Sequence, residues 1–458
     1  MKAELSKKDQ KFLDLSLNGN MWKVILVIGT PLALYQELSQ IFTILDTMMA
    51  SHISDVAVSA VAYLSQINHL LSAVGQGLAV GAGIQISLAY GQGDLEMVRK
   101  RVSTLYLICL AVGLGMLLII LPFTGQFLKL AGTPDSLIEV GAQYFIVQLF
   151  TMVITFMNNV YIAVERARGN AGRIFRLNLI VIVLKLSLTA LFVYVFNQGL
   201  VMIGVASLAS QLVLLVFAVK NSLAGDNAFS FSAKAITFER QVAGPMISRS
   251  VPVIAEKGLF AFGKTIVNSM CTLYGDTMVG AMGVSNNLGG FTTNPQNGYQ
   301  EGAASIISQN YGAGKYRRVL KAFTCVLVIN VILGAVISGL EIWQMDALAS
   351  LFDSGSAEFH DMIKIVYSFE AFGAVPLGIN ASVMALLYGL GYTKLTMVLN
   401  MARVFVFRIP VFWFLQNFTN FGEASVGIVM MVSNISVAVV SGITAIFVIK
   451  RFKKVHDI

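Results

Sequence analysis

Apolar runs of twenty or more residues recur from near the N-terminus almost to the last residue of this 458-residue chain. Each is long enough to cross the roughly 30 Å of hydrocarbon in a bilayer as a helix. The chain carries 12% charged and 56% hydrophobic residues, with a mean hydropathy of +0.74. An ordinary soluble domain is roughly 25% charged, so a membrane-embedded fold is expected rather than a soluble one, with no separate water-soluble domain among these residues. The opening stretch, MKAELSKKDQKFLDLSLNGN, is polar, and no short apolar segment ends in a small-residue cleavage site. The first apolar segment is therefore expected to be a retained span rather than a removable signal.

Windows of about 19 residues give twelve expected spans, near 22–44, 57–88, 102–124, 137–165, 174–196, 199–219, 250–274, 278–310, 322–340, 362–389, 395–416 and 425–449. With the N-terminus inside, nearly all Lys and Arg outside these spans fall on the inner side, and only Lys129 falls outside. The positive-inside rule then places both termini in the cytoplasm, and the net charge of +8 needs no nucleic-acid partner. Cys109, Cys271 and Cys325 all sit in apolar segments, which does not support a disulfide framework.

A shift of 221 residues lays Gly77, Gly81, Ala82, Ile86, Ser87, Tyr90, Gly91 and Gly93 on Gly298, Gly302, Ala303, Ile307, Ser308, Tyr311, Gly312 and Gly314, and Pro31 on Pro252. With one gap, Arg168 and Gly169 meet Tyr388 and Gly389. The same offset over more than sixty residues reads as a duplication. An even number of spans in each copy makes the repeats parallel, related by an axis along the membrane normal. The organisation expected is an N-terminal six-helix lobe over 1–219, a cytoplasmic linker over 220–249 and a C-terminal six-helix lobe over 250–458. Two like bundles able to rock about a central cleft suit alternating access, and so favour transport.

The run PLALYQELSQIFTILDTMMASHISDVAVSAVAY, with Pro31 and Asp46, resembles the first helix and following loop of the multidrug and toxic compound extrusion (MATE) transporters. YGQGD at 90–94, YGAGK at 311–315, the ARGN element at 167–170 and Glu256 after the proline of helix seven are similar to that family's recurring marks. The resemblance implies an all-α membrane fold of twelve helices, two six-helix lobes forming a V-shaped cavity. It also implies secondary efflux of amphipathic, often cationic, small molecules, driven by H⁺ or Na⁺ and without a cofactor. Where many bacterial drug exporters carry an acid in helix ten, this chain reads VPLGIN, and the nearest acid is Glu370.

An ionised group at the bilayer centre costs about 2.5 to 3.5 kcal/mol on insertion scales, so such residues are functional candidates by default. Asp46 and Glu256, which match family acids, and Glu37, which does not, are candidates for carrying the coupling ion; each could instead serve as a cap contact or ion pair. Glu37 and Asp46 are nine residues apart, about 900° of helix rotation, and so on opposite faces of an unbent helix. Lys185 and Lys264 are expected to neutralise such acids or to attract anionic substrates. The stretch NPQNGYQEG offers Asn294, Gln296, Asn297, Gln300 and Glu301 as cavity lining, or as interhelical hydrogen-bonding groups at a kink, and Asn178 is a further polar candidate. Pro31, Pro252, Gly91, Gly93, Gly312, Gly314, Arg168 and Gly169 form the shared scaffold and candidate gating elements.

The shift pairs Asp46 with Val267, Glu37 with Gly258 and Glu256 with Tyr35. The ion site is thus expected in one lobe, the first. The four histidines lack metal-ligand spacing, and the chain has no Walker-type phosphate loop. Expected partners are a small-molecule substrate and the lipid of the cytoplasmic (inner) membrane, with the protein a monomer. A flippase for lipid-linked saccharides of the related superfamily is the transport alternative. A membrane-embedded receptor or enzyme is a third reading, against which stand the symmetric repeat and the absence of HExxH or GxSxG.

Overall fold

The computed structural model describes residues 4–51, 53, 55–224, 227–350, 352 and 357–458, and their side chains except at 42–44, 46–48, 50, 51, 55–59, 62, 136 and 276. Among the described residues the regular secondary structure is helical, apart from one isolated bridge, Glu4 to Asn227. The helices of the first half are α1 (Lys7–Asn18), α2 (Met21–Ser51), α3 (Asp55–Gln92), α4 (Leu95–Ile120), α5 (Thr124–Leu130), α6 (Asp135–Ala167), α7 (Ala171–Ala190) and α8 (Leu200–Leu223). Those of the second are α9 (Ala243–Cys271), α10 (Asp276–Gly312), α11 (Tyr316–Trp343), α12 (Met345–Ser350), α13 (Ala357–Glu370), α14 (Ala374–Gly389), α15 (Thr393–Phe405), α16 (Ile409–Phe418) and α17 (Ala424–His456).

Among the described residues, ten helical stretches are long and apolar enough to cross a membrane. Some are composite, such as α13 with α14 and α15 with α16. The long helices α9 and α10 complete the twelve expected spans; Glu256, Lys257, Lys264 and the NPQNGYQEG run dilute their apolar character. That run does not interrupt its helix. Pro31, Pro252 and Pro295 all lie inside continuous helices, α2, α9 and α10, where each removes one backbone donor.

The chain forms two compact units, residues 1–15 with 38–258, and residues 16–37 with 259–458. In the first, α6 packs against α3, α4 and α8, and in the second α10, α11 and α14 pack together with α17 against α14. Each unit thus takes in a short segment from the opposite sequence half. The repeat glycines explain where these segments dock. In the first unit a Cβ on Gly77 would lie 2.7 Å from Ile254 N, and one on Gly81 2.5 Å from Ser250 N. In the second unit a Cβ on Gly298 would lie 2.5 Å from Ala33 N, and one on Gly302 3.5 Å from Gly29 N. Ala33 and Gly29 shifted by 221 are Ile254 and Ser250, so the same backbone-to-backbone crossing is built twice.

The second conserved geometry of the repeat is a turn. Gly93 (φ +76°) and Gly314 (φ +70°) follow α3 and α10 in the left-handed region, and in both turns this glycine and its successor donate to helix carbonyls: Asp94 N to Ala89 O at 3.1 Å, Lys315 N to Asn310 O at 2.8 Å. Such a helix stop favours glycine; Gly91 and Gly312 stay helical. The same turn recurs at Gly169 (φ +79°) and Gly391 (φ +77°), with Asn170 N on Glu165 O at 2.8 Å and Tyr392 N on Leu387 O at 2.7 Å. Backbone geometry therefore pairs Arg168 and Gly169 with Leu390 and Gly391, correcting by two residues the alignment with Tyr388 and Gly389.

The polar segment 220–249 lies within the first unit. Ser232 N donates to Ser103 Oγ (3.0 Å), Thr237 N to Thr104 Oγ1 (3.1 Å) and Ala228 N to Glu4 O (3.0 Å). Phe229 is buried and meets Tyr90 edge to face at 4.9 Å.

Candidate functional site

Three acids of the second unit stand in electrostatic succession. Glu341, near the end of α11, is buried, and its Oε2 accepts hydrogen bonds from Tyr367 of α13 and from Thr292 Oγ1 of α10, the latter at 2.9 Å. Its Oε1 is buried without a hydrogen-bond partner among the described residues. Glu37, in the part of α2 that belongs to this unit, is half-buried and likewise has a buried, unpartnered Oε1. It lies within electrostatic reach of Glu341, and Glu341 within reach of Glu370. Glu370, ending α13, accepts from Ser285 Oγ at 2.5 Å.

Burying a polar atom without a partner costs about 1 to 3 kcal/mol, more when it is charged. Two such oxygens lie on acids within electrostatic reach of each other, and a proton or other positive species would relieve that cost. Among the described residues no group of three His, Cys, Asp or Glu is arranged to hold a metal ion. The arrangement can accept protons: neutral carboxyl groups remove both the charge repulsion and part of the desolvation cost.

Glu256 is buried on α9, in the part that belongs to the first unit. Asp46 lies on α2, and its side chain is outside those described. Gln296 is 1% exposed, and its Nε2 donates to Asn330 O and Ala374 O, both at 3.1 Å; of the two readings of NPQNGYQEG, interhelical bonding describes this residue. Asn297 is exposed, while Asn294, Gln300 and Glu301 are half-buried. Asn178 is buried and its Nδ2 donates to Ile174 O of its own helix at 2.9 Å. Lys185 is half-buried and Lys264 exposed.

Sequence reasoning passed over Glu341 because the ninth apolar window closes at Leu340, whereas α11 continues to Trp343. It also passed over Arg403 and Arg408, which sit within the eleventh span and whose only local signal is the proline that follows, Pro410.

Fold and site together define a duplicated, multi-pass helical membrane protein with ionisable groups held inside each unit. The MatE family model matches it twice, over residues 31–191 and 252–414, and the chain belongs to the MatE family. It is 22% identical to the probable multidrug resistance protein YoeA of Bacillus subtilis, over 87% of this chain and 88% of that protein. It is 24% identical to the multidrug export protein MepA of Staphylococcus aureus, over 66% and 68% respectively. Among solved structures, it matches the outward-facing conformation of a multidrug resistance MATE family transporter of the MOP superfamily with a TM-score of 0.92 and 18% identity, over 98% of this chain and 100% of that one. A MOP superfamily transporter from Pyrococcus furiosus, described as having a binding pocket of reverse polarity, matches at the same TM-score and identity, over 98% and 99%. The expected twelve-helix fold is thus the fold of this chain.

Proposed function

We propose that this chain exports amphipathic small molecules across the cytoplasmic membrane by antiport with H⁺, as a monomer with both termini in the cytoplasm. The multidrug export and resistance roles named for YoeA and MepA support the export reading, as does the MatE membership of both halves. In this reading the sequence repeats 1–219 and 250–458 are the two lobes of that machine, with the segment 220–249 between them in the chain. The observation that carries the choice of ion is the pair of buried, unpartnered carboxylate oxygens on Glu37 and Glu341. Protonation satisfies them in one state, and release of the protons in the other supplies the coupling. Asp46 and Glu256 are the corresponding candidates of the first unit, matched to the family by motif.

The test is ethidium movement in everted membrane vesicles under an imposed pH gradient. Gradient-driven accumulation by the wild type, reduced at least tenfold in Glu341→Gln, is expected. Ethidium movement indifferent to the gradient, or full coupling in both Glu341→Gln and Glu37→Gln, would remove the proton assignment.

A further inference from the structure

The eleventh span is broken. α15 ends at Phe405 and α16 begins at Ile409, and between them Val406 N and Phe407 N both turn back to Ala402 O, at 3.0 and 2.9 Å. Pro410 accounts for the break, since it has no N–H to donate to Val406 O and in a continuous helix its ring would clash with that carbonyl, whereas at the start of a new helix the missing donor costs nothing. The first turn of α16 has no side-chain cap, so partial positive charge accumulates there.

Arg408 sits at this break and is 2% exposed. Its Nε donates to Ser433 Oγ at 3.0 Å and its Nη2 to Asn434 Oδ1 at 3.1 Å. Arg403 donates from Nε and Nη2 to that same oxygen, at 3.1 and 2.8 Å, and its guanidinium lies 5.4 Å from the Phe260 ring centroid. Two arginines therefore share one neutral amide oxygen. Lys264 follows Phe260 by one turn on the same face of α9, and Gly263 beside it packs against α15, where a Cβ would lie 2.3 Å from Val404 Cγ1; Lys264 is within electrostatic reach of both arginines. It is exposed, and it makes no hydrogen bond or ion pair among the described residues. Glu370 is the acid within reach, but its Oε2 is engaged by Ser285, and no ion pair joins it to any of the three cations among the described residues.

A buried guanidinium needs a counter-charge or a full set of acceptors to recover its desolvation cost. Here neutral oxygens supply only part of it. Three positive charges face a single negative one, and all belong to the second unit. Arginine forks and a mobile ammonium are suited to carboxylate or phosphate oxygens.

We propose that Lys264, Arg403 and Arg408 form an oxyanion site, which takes the carboxylate or phosphate group of an amphipathic ligand. Its place in transport rests on the export reading above; its binding does not. Ligands would then include anionic and zwitterionic amphiphiles, held by the charged end at this site.

The experiment measures 5-carboxyfluorescein binding by fluorescence anisotropy to the full chain in phosphatidylcholine nanodiscs. Saturable binding is expected, weakened at least tenfold by Lys264→Gln and recovered to within about threefold by Lys264→Arg. Lys129→Gln, which removes an equal charge from an exposed position (65% exposed), should leave affinity unchanged. Arms with added inorganic phosphate and with phosphatidylglycerol in the disc identify the occupant: displacement by phosphate alone marks a soluble oxyanion, and displacement by phosphatidylglycerol marks a lipid headgroup. Absence of saturable binding, or equal affinity in wild type and Lys264→Gln, would overturn the site. Wild-type ethidium efflux, measured in parallel, reports separately on the export reading.

Discussion

Arg168 grips Asp9 with two parallel hydrogen bonds, Nε to Oδ1 at 2.9 Å and Nη2 to Oδ2 at 2.8 Å. Asp9 is fully buried on α1, and the pair fastens that helix to the turn after α6. Asn227 Nδ2 also donates to Asp9 Oδ2, and Tyr90 OH to Asp9 O at 2.6 Å. Burial pushes the Arg168 pKa down, but its hydrogen bonds and the charges of Asp9 and Glu165 outweigh that and hold it above its ordinary value. Removing one member of a buried pair leaves the other uncompensated, at a cost of about 3 to 5 kcal/mol. Arg168→Ala is expected to lower the thermal midpoint of the detergent-solubilised protein sharply. Adding Asp9→Asn to that variant should recover much of the loss, because the stranded charge goes too. A thermal melt of the three variants checks both statements.

Gly77 and Gly298 occupy equivalent helix crossings, and a Cβ on either would press on backbone atoms, Ile254 N at 2.7 Å and Ala33 N at 2.5 Å. Backbone cannot move aside as a flexible side chain can. Overpacking of this kind costs about 1 to 3 kcal/mol. Gly77→Val and Gly298→Val should each lose stability by similar amounts, whereas Gly115→Val, with nothing within 4 Å, should melt near wild type. Unequal losses at the two repeat positions would argue against equivalent crossings.

The scaffold was legible because its constraints are local and repeated. A long apolar run declares a span, and a glycine at a fixed offset in both halves declares a close approach. The exchange of residues 16–37 and 250–258 between units was not legible, since it is a tertiary choice that leaves no periodicity in the chain. The same is true of the acids. Glu37 was visible as a charge inside an apolar run, but its neighbour Glu341 lies on a helix 304 residues later and was counted as beyond its span. Arg403 and Arg408 converge on Asn434 only once a broken helix packs against α17, and no spacing rule encodes that meeting.

The Gln296 amide is wedged between α11 and the VPLGIN stretch of α14, where it donates to Asn330 O and Ala374 O. In VPLGIN, Gly378 leaves the room that the Gln296 amide fills: a Cβ there would lie 2.8 Å from Gln296 Nε2 and 2.6 Å from Asn330 O. Gly334, on the other side, is equally tight, with Gln296 Nε2 at 2.9 Å. Gly378→Ala should destabilise by about 1 to 3 kcal/mol through this overpacking. Gln296→Leu should cost about 1 to 2 kcal/mol through two lost hydrogen bonds. Because both changes disturb one contact, their effects should be less than additive. Urea or thermal titration of the single and double variants measures the coupling directly.

The free cysteines supply a check on the orientation of α9. Cys109, Cys271 and Cys325 are buried, at no more than 1% exposed, and none forms a disulfide. Thiol labelling requires access as well as the thiolate form. The wild type should therefore resist a membrane-impermeant maleimide until it is unfolded in hot detergent, when all three thiols react. On that silent background, Lys264→Cys should label within minutes in the folded protein, because the proposed oxyanion site requires an open path for its ligand. Val253→Cys, a fully buried position on the same helix, should not. Mass spectrometry of the labelled chain separates these outcomes. Rapid labelling of the native thiols would contradict the packing around them, and protection of Lys264→Cys would remove the access that the proposed oxyanion site requires.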